Sequence, residues 1–324
     1  MKAIVYTKTG GLDVIRQKEI AAPEIKENQV LVQVKACALN IADYQRFQTK
    51  NGKIPFSTYL TNKMMGYAGK PFGTEIAGIV VETGKNINNL RVGDAVFGKT
   101  AGIAPTGGLA EYAVMDHDRV CLKSANLSYE EAAAISVSFD TALGAIRKAK
   151  ISAGQKVMIY GASGGVGLYA VQLAKEAGAV VTGVCSTRNT ALAQKAGCDV
   201  IIDYKKEDFT RISVQYDAIL GINGCNPMKQ YKKLLKPDGI FVGVGDVNQA
   251  MKALAASLTS HNFTYYAGAF TKQPDYLSYA KQLIETGRLH TYIDKIYPVD
   301  ETAEAIKYLL NQHARGKVVI QIDF

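Results

Sequence analysis

Alternating apolar and polar residues dominate the first third of the chain. The segments "KAIVYT" and "QVLVQVKACALN" alternate with a period of two, while "GTEIAGIVVETG" and "VGDAVFG" are β-rich runs bounded by glycine. A period of two is typical of strands with one buried face. We therefore predict a twisted, mostly antiparallel β unit over residues 1–123. A loop rich in Tyr, Met and Gly between Asn51 and Lys70 is predicted to cover a pocket.

The pattern changes near Ser124. Helical stretches begin in "SYEEAAAISVSFDTALGAIRKA", where Ser128 and Glu131 have the spacing of a capping box. Nearly all-apolar strands such as "KVMIYG" and "VVTGVCS" then alternate with helices such as "GLYAVQLAKEAG". This alternation predicts an α/β fold with a doubly wound parallel sheet, covered by helices on both faces, that begins near Ser124. The segment "NFTYYAGAF" is a candidate last strand. Residues 264–324 are expected to return and complete the first domain.

Length and composition are those of an ordinary globular protein. The chain has 324 residues, which suits two domains, with 48% hydrophobic and 21% charged residues. No apolar run approaches the roughly 20 residues that cross a bilayer. The start, "MKAIVYTKTGG", lacks the features of a secretion signal. We therefore expect a cytoplasmic protein without a membrane partner.

Cysteine spacing and net charge limit the other classes. The five cysteines form no CxxC pair, which argues against a disulfide framework and a cysteine-rich zinc site. The four histidines show no metal spacing, and we assign them no catalytic role. The net charge of +9 comes from dispersed residues, without a basic block or interleaved aromatics. A nucleic-acid partner is therefore not expected, whereas an anionic cofactor is compatible with the charge.

A glycine-rich turn after "KVMIYG" opens directly into a helix. Ala162, Gly164 and Gly167 occupy the three small-residue positions of a dinucleotide-binding loop, with Ala162 in place of the first glycine. A strand before the turn and a helix N-terminus after it are the context that binds a pyrophosphate. A structural turn without ligand is the alternative. The predicted cofactor-binding residues here are Gly161, Ala162, Ser163, Gly164, Gly165, Val166 and Gly167.

The end of the second parallel strand indicates which dinucleotide is bound. An Asp or Glu at this position normally binds the ribose hydroxyls of NADH, but here the sequence reads "CSTRN". Ser186, Thr187 and Arg188 can donate hydrogen bonds to a 2′-phosphate, and Arg188 adds charge. Tyr204 is a further candidate wall of the adenosine site. We predict NADPH rather than NADH, although Arg188 could also be a solvated residue at a helix start.

The order of motifs resembles the medium-chain dehydrogenase/reductase superfamily, and within it the zinc-independent quinone oxidoreductase and enone reductase branch. The motifs are "VKACALNIADY", "FGTEIAGIVVETG", "RVGDAVFG", "GGLAEYAV", "YGASGGVGLYAVQLAKEAGA", "IDY" and "ARGKVVI". The resemblance covers nearly the full chain. It implies a GroES-like catalytic domain over residues 1–123 and 264–324, a Rossmann domain over residues 124–263, and a homodimer formed through the edge strand "NFTYYAGAF".

Departures from the zinc-dependent members of this superfamily indicate that no metal is bound. Asn40 and Ile41 align with a metal Cys and a His, and Thr74 aligns with a ligand His. Asp43 and Glu75 remain, but oxygen ligands alone make a poor zinc set. Without a Lewis acid, the resemblance implies hydride transfer from NADPH, its nicotinamide facing the first domain, to a quinone or an α,β-unsaturated carbonyl.

The resemblance also implies roles for single residues, each with a bland alternative. Asn40 is the catalytic candidate, as donor to a substrate oxyanion, or else it only fixes a turn. Thr141, Val242, Val244 and Lys317 are cofactor-binding candidates, or else an ordinary helix threonine, two core valines and a solvated lysine. The substrate-pocket candidates, or else packing residues, are Asn40, Tyr44, Tyr59, Met64, Met65 and Tyr67.

Two other functions compete with this prediction. The first is a non-enzymatic NADPH-binding protein of the same fold, because relatives in this branch include crystallins and RNA-binding proteins. The second is a zinc alcohol dehydrogenase, which the missing ligands exclude. Steady NADPH oxidation with quinones or enones separates the enzyme from the binding protein.

Overall fold

The chain divides into two compact units. The computed structural model describes residues 1–8, 10–45, 60, 63–64, 66–101, 107–222, 226–245, 247–258, 260–266, 275–311 and 314–324, with the backbone alone at residues 44, 45, 247, 248 and 250. The first unit comprises Met1–Val137 and Ile293–Phe324, and the second comprises Ser138–Tyr292.

The strands and helices are numbered along the described residues. The strands are β1 Lys2–Tyr6, β2 Ile15–Glu19, β3 Gln29–Leu39, β4 Glu75–Thr83, β5 Ala95–Lys99, β6 Tyr112–Asp116, β7 Val120–Leu122, β8 Lys156–Tyr160, β9 Val180–Cys185, β10 Val200–Asp203, β11 Tyr216–Gly221, β12 Leu235–Val244, β13 Phe263–Tyr266, β14 Ile293–Pro298 and β15 Lys317–Gln321. The helices are α1 Ile41–Gln45, α2 Tyr129–Ala133, α3 Ser136–Lys148, α4 Gly165–Glu176, α5 Thr190–Lys195, α6 Met228–Leu234, α7 Val247–Ser257, α8 Tyr276–Glu285 and α9 Thr302–Asn311.

The boundaries of the units differ from residues 123/124 and 263/264, where the sequence pattern placed them. The predicted capping box at Ser128 is confirmed, and it starts helix α2, which packs on β3 and β4 of the first unit. At the other boundary, His290 donates its backbone N–H to Gln172 Oε1 at 2.7 Å, and this bond holds the segment after α8 against α4. Side-chain packing and hydrogen bonds, rather than the change of periodicity, therefore determine where each unit ends.

The first unit contains a mostly antiparallel seven-stranded sheet. Its strand order is β14-β15-β3-β4-β5-β7, and β6 also pairs with β3. The C-terminal strand β15 lies antiparallel to β3, with Val318 opposite Leu39. On the other side of β3, Ala38 lies opposite Glu75. This register brings the end of β3 and the starts of β4 and β15 close together. It is possible because the C-terminal segment returns to the first unit.

The second unit contains a six-stranded parallel sheet with the order β10-β9-β8-β11-β12-β13. The chain starts at β8, builds outward through β9 and β10, and then crosses to β11 on the other side. This is the doubly wound order of dinucleotide-binding domains, in which ligands bind at the carboxyl ends of the strands next to the crossover. The predicted α/β fold is confirmed. The last strand forms over Phe263–Tyr266, and the rest of "NFTYYAGAF" lies outside the described residues. Within the described part of the chain, every helix is too short or too polar to cross a membrane.

Candidate functional site

The turn after β8 has the backbone geometry of a phosphate-binding loop. Gly161 has a φ of 89°, a conformation that side chains with a Cβ rarely adopt, so the sharp turn is made there. Ala162 can therefore replace the usual first glycine, because the positive φ falls at Gly161 and not at Ala162, whose methyl group is completely buried. Helix α4 starts after Gly164 without a side-chain cap. The first backbone N–H groups of a helix have no intrahelical acceptor, so they are available to a ligand.

Two glycines of the loop have different physical reasons to be glycine. A Cβ at Gly167 would lie 2.0 Å from the carbonyl oxygen of Gly161, so only glycine lets the helix pack on the strand. A Cβ at Gly164 would meet only that same oxygen, at 3.7 Å. The space above Gly164 is open in this structure, as expected where a pyrophosphate approaches the backbone. The loop therefore fits a dinucleotide.

The turn after β9 carries the predicted 2′-phosphate residues. Ser186 precedes a 3₁₀ turn over Thr187–Asn189, and the side chain of Arg188 is exposed to solvent. The hydroxyl of Thr187 donates to Asp203 Oδ2 at 2.6 Å, so this side chain braces the turn instead of pointing a donor at a phosphate. The hydrogen bond from Thr187 lowers the pKa of Asp203 below its ordinary value.

Asn189 links this turn to the phosphate loop, which the sequence did not predict. Its Nδ2 donates to Ser163 Oγ at 2.9 Å, and both side chains are buried. Asn189 Oδ1 is buried without a hydrogen-bond partner in the part of the chain that is described. The Asn in "STRN" and the Ser in "GASGGVG" were visible in the sequence, but nothing in their spacing showed that they meet.

Tyr204 presents a flat surface next to the same turn. Its side chain is 41% exposed, and its ring lies nearly parallel to that of Tyr160, with centroids 6.4 Å apart. The ammonium group of Lys205 lies 5.7 Å from the Tyr204 ring centroid. An exposed, stacked ring beside a cation is a suitable wall for an adenosine group.

The remaining candidates of the second unit are less distinctive. Thr141 lies half-buried in α3. Val242 and Val244 lie on β12, and both side chains are completely buried. The valine side chains are therefore core residues, and any contact with a cofactor would use their backbone. That contact stays a prediction.

A buried polar cluster lies in the first unit, where β3 ends and β4 and β15 begin. Lys317 and Glu75 form an ion pair, and their side chains are 4% and 0% exposed. Asn40 Oδ1 accepts a hydrogen bond from Lys317 Nζ at 2.8 Å, and Asn40 Nδ2 donates to Glu75 Oε1 at 3.0 Å. The solvated-lysine alternative for Lys317 is wrong, because its ammonium group is buried and paired. Its ammonium group is engaged by two side chains of this unit, and the predicted contact with a cofactor stays a prediction.

The other carboxylate of this cluster shapes the backbone. Asp43 Oδ2 accepts from the backbone N–H of Asn40 at 3.0 Å, and Asp43 Oδ1 accepts from the hydroxyl of Thr74. The turn at Asn40 is thus closed by Asp43, and the Asn40 amide is turned to Glu75 and Lys317. The alternative in which the Asn40 side chain fixes its own turn is therefore wrong.

Neighbouring groups in the first unit argue against thiolate chemistry. Burial, with the negative charges of Asp43 and Glu75, raises the pKa of the Cys37 thiol well above its ordinary value, although Lys317 acts in the opposite direction. Cys37 is therefore a neutral core thiol. Among the described residues, no group of His, Cys, Asp and Glu side chains is arranged to hold a metal ion.

The predicted substrate-pocket residues that the structure describes do not line a common pocket. Met64 is 79% exposed, whereas Tyr67 is buried in the core of the first unit and belongs to the same hydrophobic cluster as Tyr6 and Phe72. The side chain of Tyr67 thus fills the core rather than lining an open pocket. Tyr59, Met65 and the side chain of Tyr44 lie outside the described residues.

Comparison with known proteins gives matches along the whole chain. Residues 26–125 match the model of the alcohol dehydrogenase GroES-like domain, and residues 196–320 match that of the zinc-binding dehydrogenases. The chain is 31% identical to the NADPH-dependent alkenal/one oxidoreductase of Arabidopsis thaliana and 32% identical to the 2-methylene-furan-3-one reductase of Solanum lycopersicum, in each case over 99% of this chain and 79% of the relative. The solved structure of the quinone oxidoreductase from Coxiella burnetii superposes with a TM-score of 0.89 at 30% identity, over 100% of this chain and 99% of that one.

Proposed function

The chain belongs to the quinone oxidoreductase branch of the medium-chain dehydrogenase/reductase superfamily, as its sequence motifs predicted, and on that premise we propose that it is an NADPH-dependent, zinc-independent reductase of quinones or α,β-unsaturated carbonyl compounds. Two relatives that cover nearly the whole chain are named as reductases of conjugated carbonyl compounds. An enzyme is therefore favoured over a non-enzymatic nucleotide-binding protein of the same fold.

The observation that carries the cofactor assignment is the pair of turns after β8 and β9. Open space at Gly164 and the N-terminus of α4 favour a pyrophosphate. NADH-specific domains carry an Asp or Glu at the end of the second parallel strand, and its negative charge would repel a 2′-phosphate. The turn after β9 contains the exposed residue Arg188 instead, whose positive charge favours a 2′-phosphate. Thr187 contributes by bracing this turn on Asp203. Bound NADPH supplies the hydride, while the residues of this chain bind and orient it.

Zinc independence is supported by the interactions that the carboxylates already make. The charge of Glu75 is balanced by Lys317, and its two oxygens accept from Asn40, Lys317, Ser136 and the backbone of Val137. Both oxygens of Asp43 accept hydrogen bonds as well. A divalent cation would have to displace a buried ammonium group to use these ligands.

Asn40 is the residue that we assign to the substrate oxygen. A side-chain amide has two N–H donors, and Glu75 takes one of them. The second N–H can stabilise the negative charge that develops on the oxygen of a conjugated acceptor as hydride arrives. Removing one such donor in other enzymes slows turnover about 10²- to 10³-fold.

A substrate panel tests the proposal. We expect oxidation of NADPH with quinones and with enones or alkenals, slower oxidation of NADH, and no turnover of saturated aldehydes. Turnover should survive a chelator. With NADPH deuterated at the transferred position, deuterium should appear at the β-carbon of an enone product. Nucleotide binding without turnover of any acceptor, or loss of activity with the chelator, would contradict the proposed function.

A homodimer is also part of the proposal. Among the described strands, β13 is the terminal strand of the parallel sheet, and it can extend the sheet through a second copy. Sedimentation analysis should give twice the mass of the 35.0 kDa chain. A monomer at micromolar concentration would contradict it.

A further inference from the structure

We infer that the buried Lys317–Glu75 ion pair is a positioning device that holds the side-chain amide of Asn40 in a single orientation, with its second N–H presented to the substrate oxygen. The inference rests on the proposed function, because it explains how that function's oxyanion donor is prepared. Neither Lys317 nor Glu75 is a catalytic residue in this account, since both act through Asn40.

The chemistry of the two partners makes the orientation unambiguous. An ammonium group has only donors and a carboxylate has only acceptors. Asn40 Oδ1 must therefore face Lys317 Nζ, at 2.8 Å, and Nδ2 must face Glu75 Oε1, at 3.0 Å. A flipped amide would set N–H groups against the ammonium and the oxygen against the carboxylate, which replaces two charge-assisted hydrogen bonds by two repulsive contacts.

The pair is itself held by regular secondary structure. Glu75 Oε2 accepts from Ser136 Oγ at 3.2 Å and from the backbone N–H of Val137 at 2.7 Å. Both donors lie in the first turn of the 13-residue helix α3, where the helix dipole favours a negative charge. Lys317 is the first residue of β15, which pairs with β3. Groups placed by strands and a helix N-terminus are held more firmly than groups on loops.

The burial of the pair favours a role beyond stability. Taking two charges out of water is costly, and replacing a buried ion pair by neutral groups of similar size is often neutral for stability or stabilising. Asn40, in contrast, is only half-buried, whereas the side chains of Lys317 and Glu75 are 4% and 0% exposed. Polar groups that are fixed in advance stabilise developing charge without reorganising. This advantage accounts for keeping the charged pair.

Three variants distinguish a role of the ion pair in positioning Asn40 from a role in folding stability. Lys317→Met leaves a buried carboxylate unpaired, and we expect it to lower the stability to denaturant and the turnover together. The double variant Glu75→Gln/Lys317→Met is neutral and similar in size, so its stability should return close to that of the wild type. Its kcat with an enone should nevertheless be ten- to a hundredfold lower, while KM and the Kd for NADPH change less than about twofold. The control is Asp217→Asn/Lys236→Met, which removes a 2.7 Å ion pair from the second unit and should leave kcat unchanged.

A double variant with wild-type stability and wild-type kcat would overturn the inference, because the pair would then be structural only. A spectroscopic measurement on the wild type covers the case in which the double variant does not fold. The side-chain amide of Asn40, identified by its absence in Asn40→Ala, should give one pair of ¹H–¹⁵N resonances, with the proton that is bound to Glu75 shifted downfield of the ordinary primary-amide range. Ordinary shifts for both protons, or a second pair, would overturn the inference. Absence of any turnover by the wild type would instead refute the proposed function, and the resonances would still report the orientation.

Discussion

The polar cluster of the first unit and the nucleotide loop of the second unit use charge in opposite ways. In the cluster, a buried cation and a buried anion satisfy each other, and Asn40, which bonds to both, is half-buried. In the loop, the N-terminus of α4 has no side-chain cap, and the nearby residue Arg188 is exposed. The cluster is therefore fixed before any ligand arrives, whereas much of the charge complementarity of the loop is realised only when an anion binds.

This difference predicts different sensitivities. Interactions between exposed charges are screened by salt, while a buried pair is screened much less. Changes in the cluster should act on kcat, and changes in the loop should act on the affinity for the nucleotide.

Gly167→Ala should be the most damaging single change in the loop. The new methyl carbon would lie 2.0 Å from the carbonyl oxygen of Gly161, a backbone atom that cannot move without displacing β8. Alanine in a helix gains about 1 kcal/mol over glycine. Overpacking typically costs about 1–3 kcal/mol, and a 2.0 Å contact with a backbone atom belongs at the upper end of this range, so the clash should win. The free energy of unfolding, measured in denaturant, should fall by about 2 kcal/mol, with loss of nucleotide binding.

Gly164→Ala is the matched variant in the same loop. Its backbone has a φ of −82°, which alanine adopts freely, and the nearest atom to the new methyl group is 3.7 Å away. Stability should therefore stay within about 0.5 kcal/mol of the wild type. The methyl group would occupy the space that the pyrophosphate needs, so the Kd for both nucleotides should rise at least tenfold in a fluorescence titration. Unchanged affinity would show that the phosphate binds elsewhere.

Arg188→Ala should separate the two nucleotides. An exposed charge-assisted contact with a 2′-phosphate is worth about 1.4 kcal/mol, which is about a tenfold change in Kd. The Kd for NADPH should rise by that factor, and the Kd for NADH should change less than twofold. The difference should shrink at high salt. The exposed Lys148 provides a control for net charge, since Lys148→Ala should leave the ratio of the two affinities unchanged. Equal losses for both nucleotides in Arg188→Ala would refute NADPH selection.

The sequence was most informative where local pattern decides structure. The period-two segments, the alternating strands and helices, and the turn at Gly161 were all predictable, because each depends on residues close together in the chain. The capping box at Ser128 is of the same kind. Local rules of this sort were sufficient for the fold class and for the phosphate loop.

Contacts between residues that are distant in the chain could not be predicted from the local sequence pattern. Lys317 and Glu75 are separated by 242 positions, and only the pairing of β15, β3 and β4 brings them together. A lysine in "RGKVVI" looks the same whether it is solvated or buried. Tyr67 shows the converse, because an aromatic residue in a Tyr/Met-rich loop could line a pocket or fill the core. Deciding between these cases requires the tertiary structure.

Asn189→Ala tests one of these unpredicted contacts. The change removes the hydrogen bond to Ser163, and it also removes the buried Oδ1 that has no partner among the described residues. These two effects on stability oppose each other, so the free energy of unfolding should change by only about 1 kcal/mol. The phosphate loop would lose its link to the turn at Arg188, and the Kd should rise about three- to tenfold for NADPH and for NADH alike. A loss confined to NADPH would instead assign Asn189 to the 2′-phosphate.

Thr187→Val should give the smallest effect, visible only in the pH dependence of stability. The hydrogen bond from Thr187 lowers the pKa of Asp203 in the folded protein, whereas the unfolded chain has the ordinary value of about 3.9. Between these two pKa values the unfolded state binds more protons, so the contribution of the bond to stability is fully present above about pH 4–5 and is lost as the pH falls through the lower value. The difference in unfolding free energy between the wild type and Thr187→Val should therefore shrink on acidification. Thr286→Val is the control, because the Thr286 hydroxyl donates to a backbone carbonyl at 2.8 Å and its difference should not change with pH. A constant difference for Thr187→Val as well would mean that the Asp203 bond does not brace the turn, and the 2′-phosphate residues would then be ordered only by the ligand.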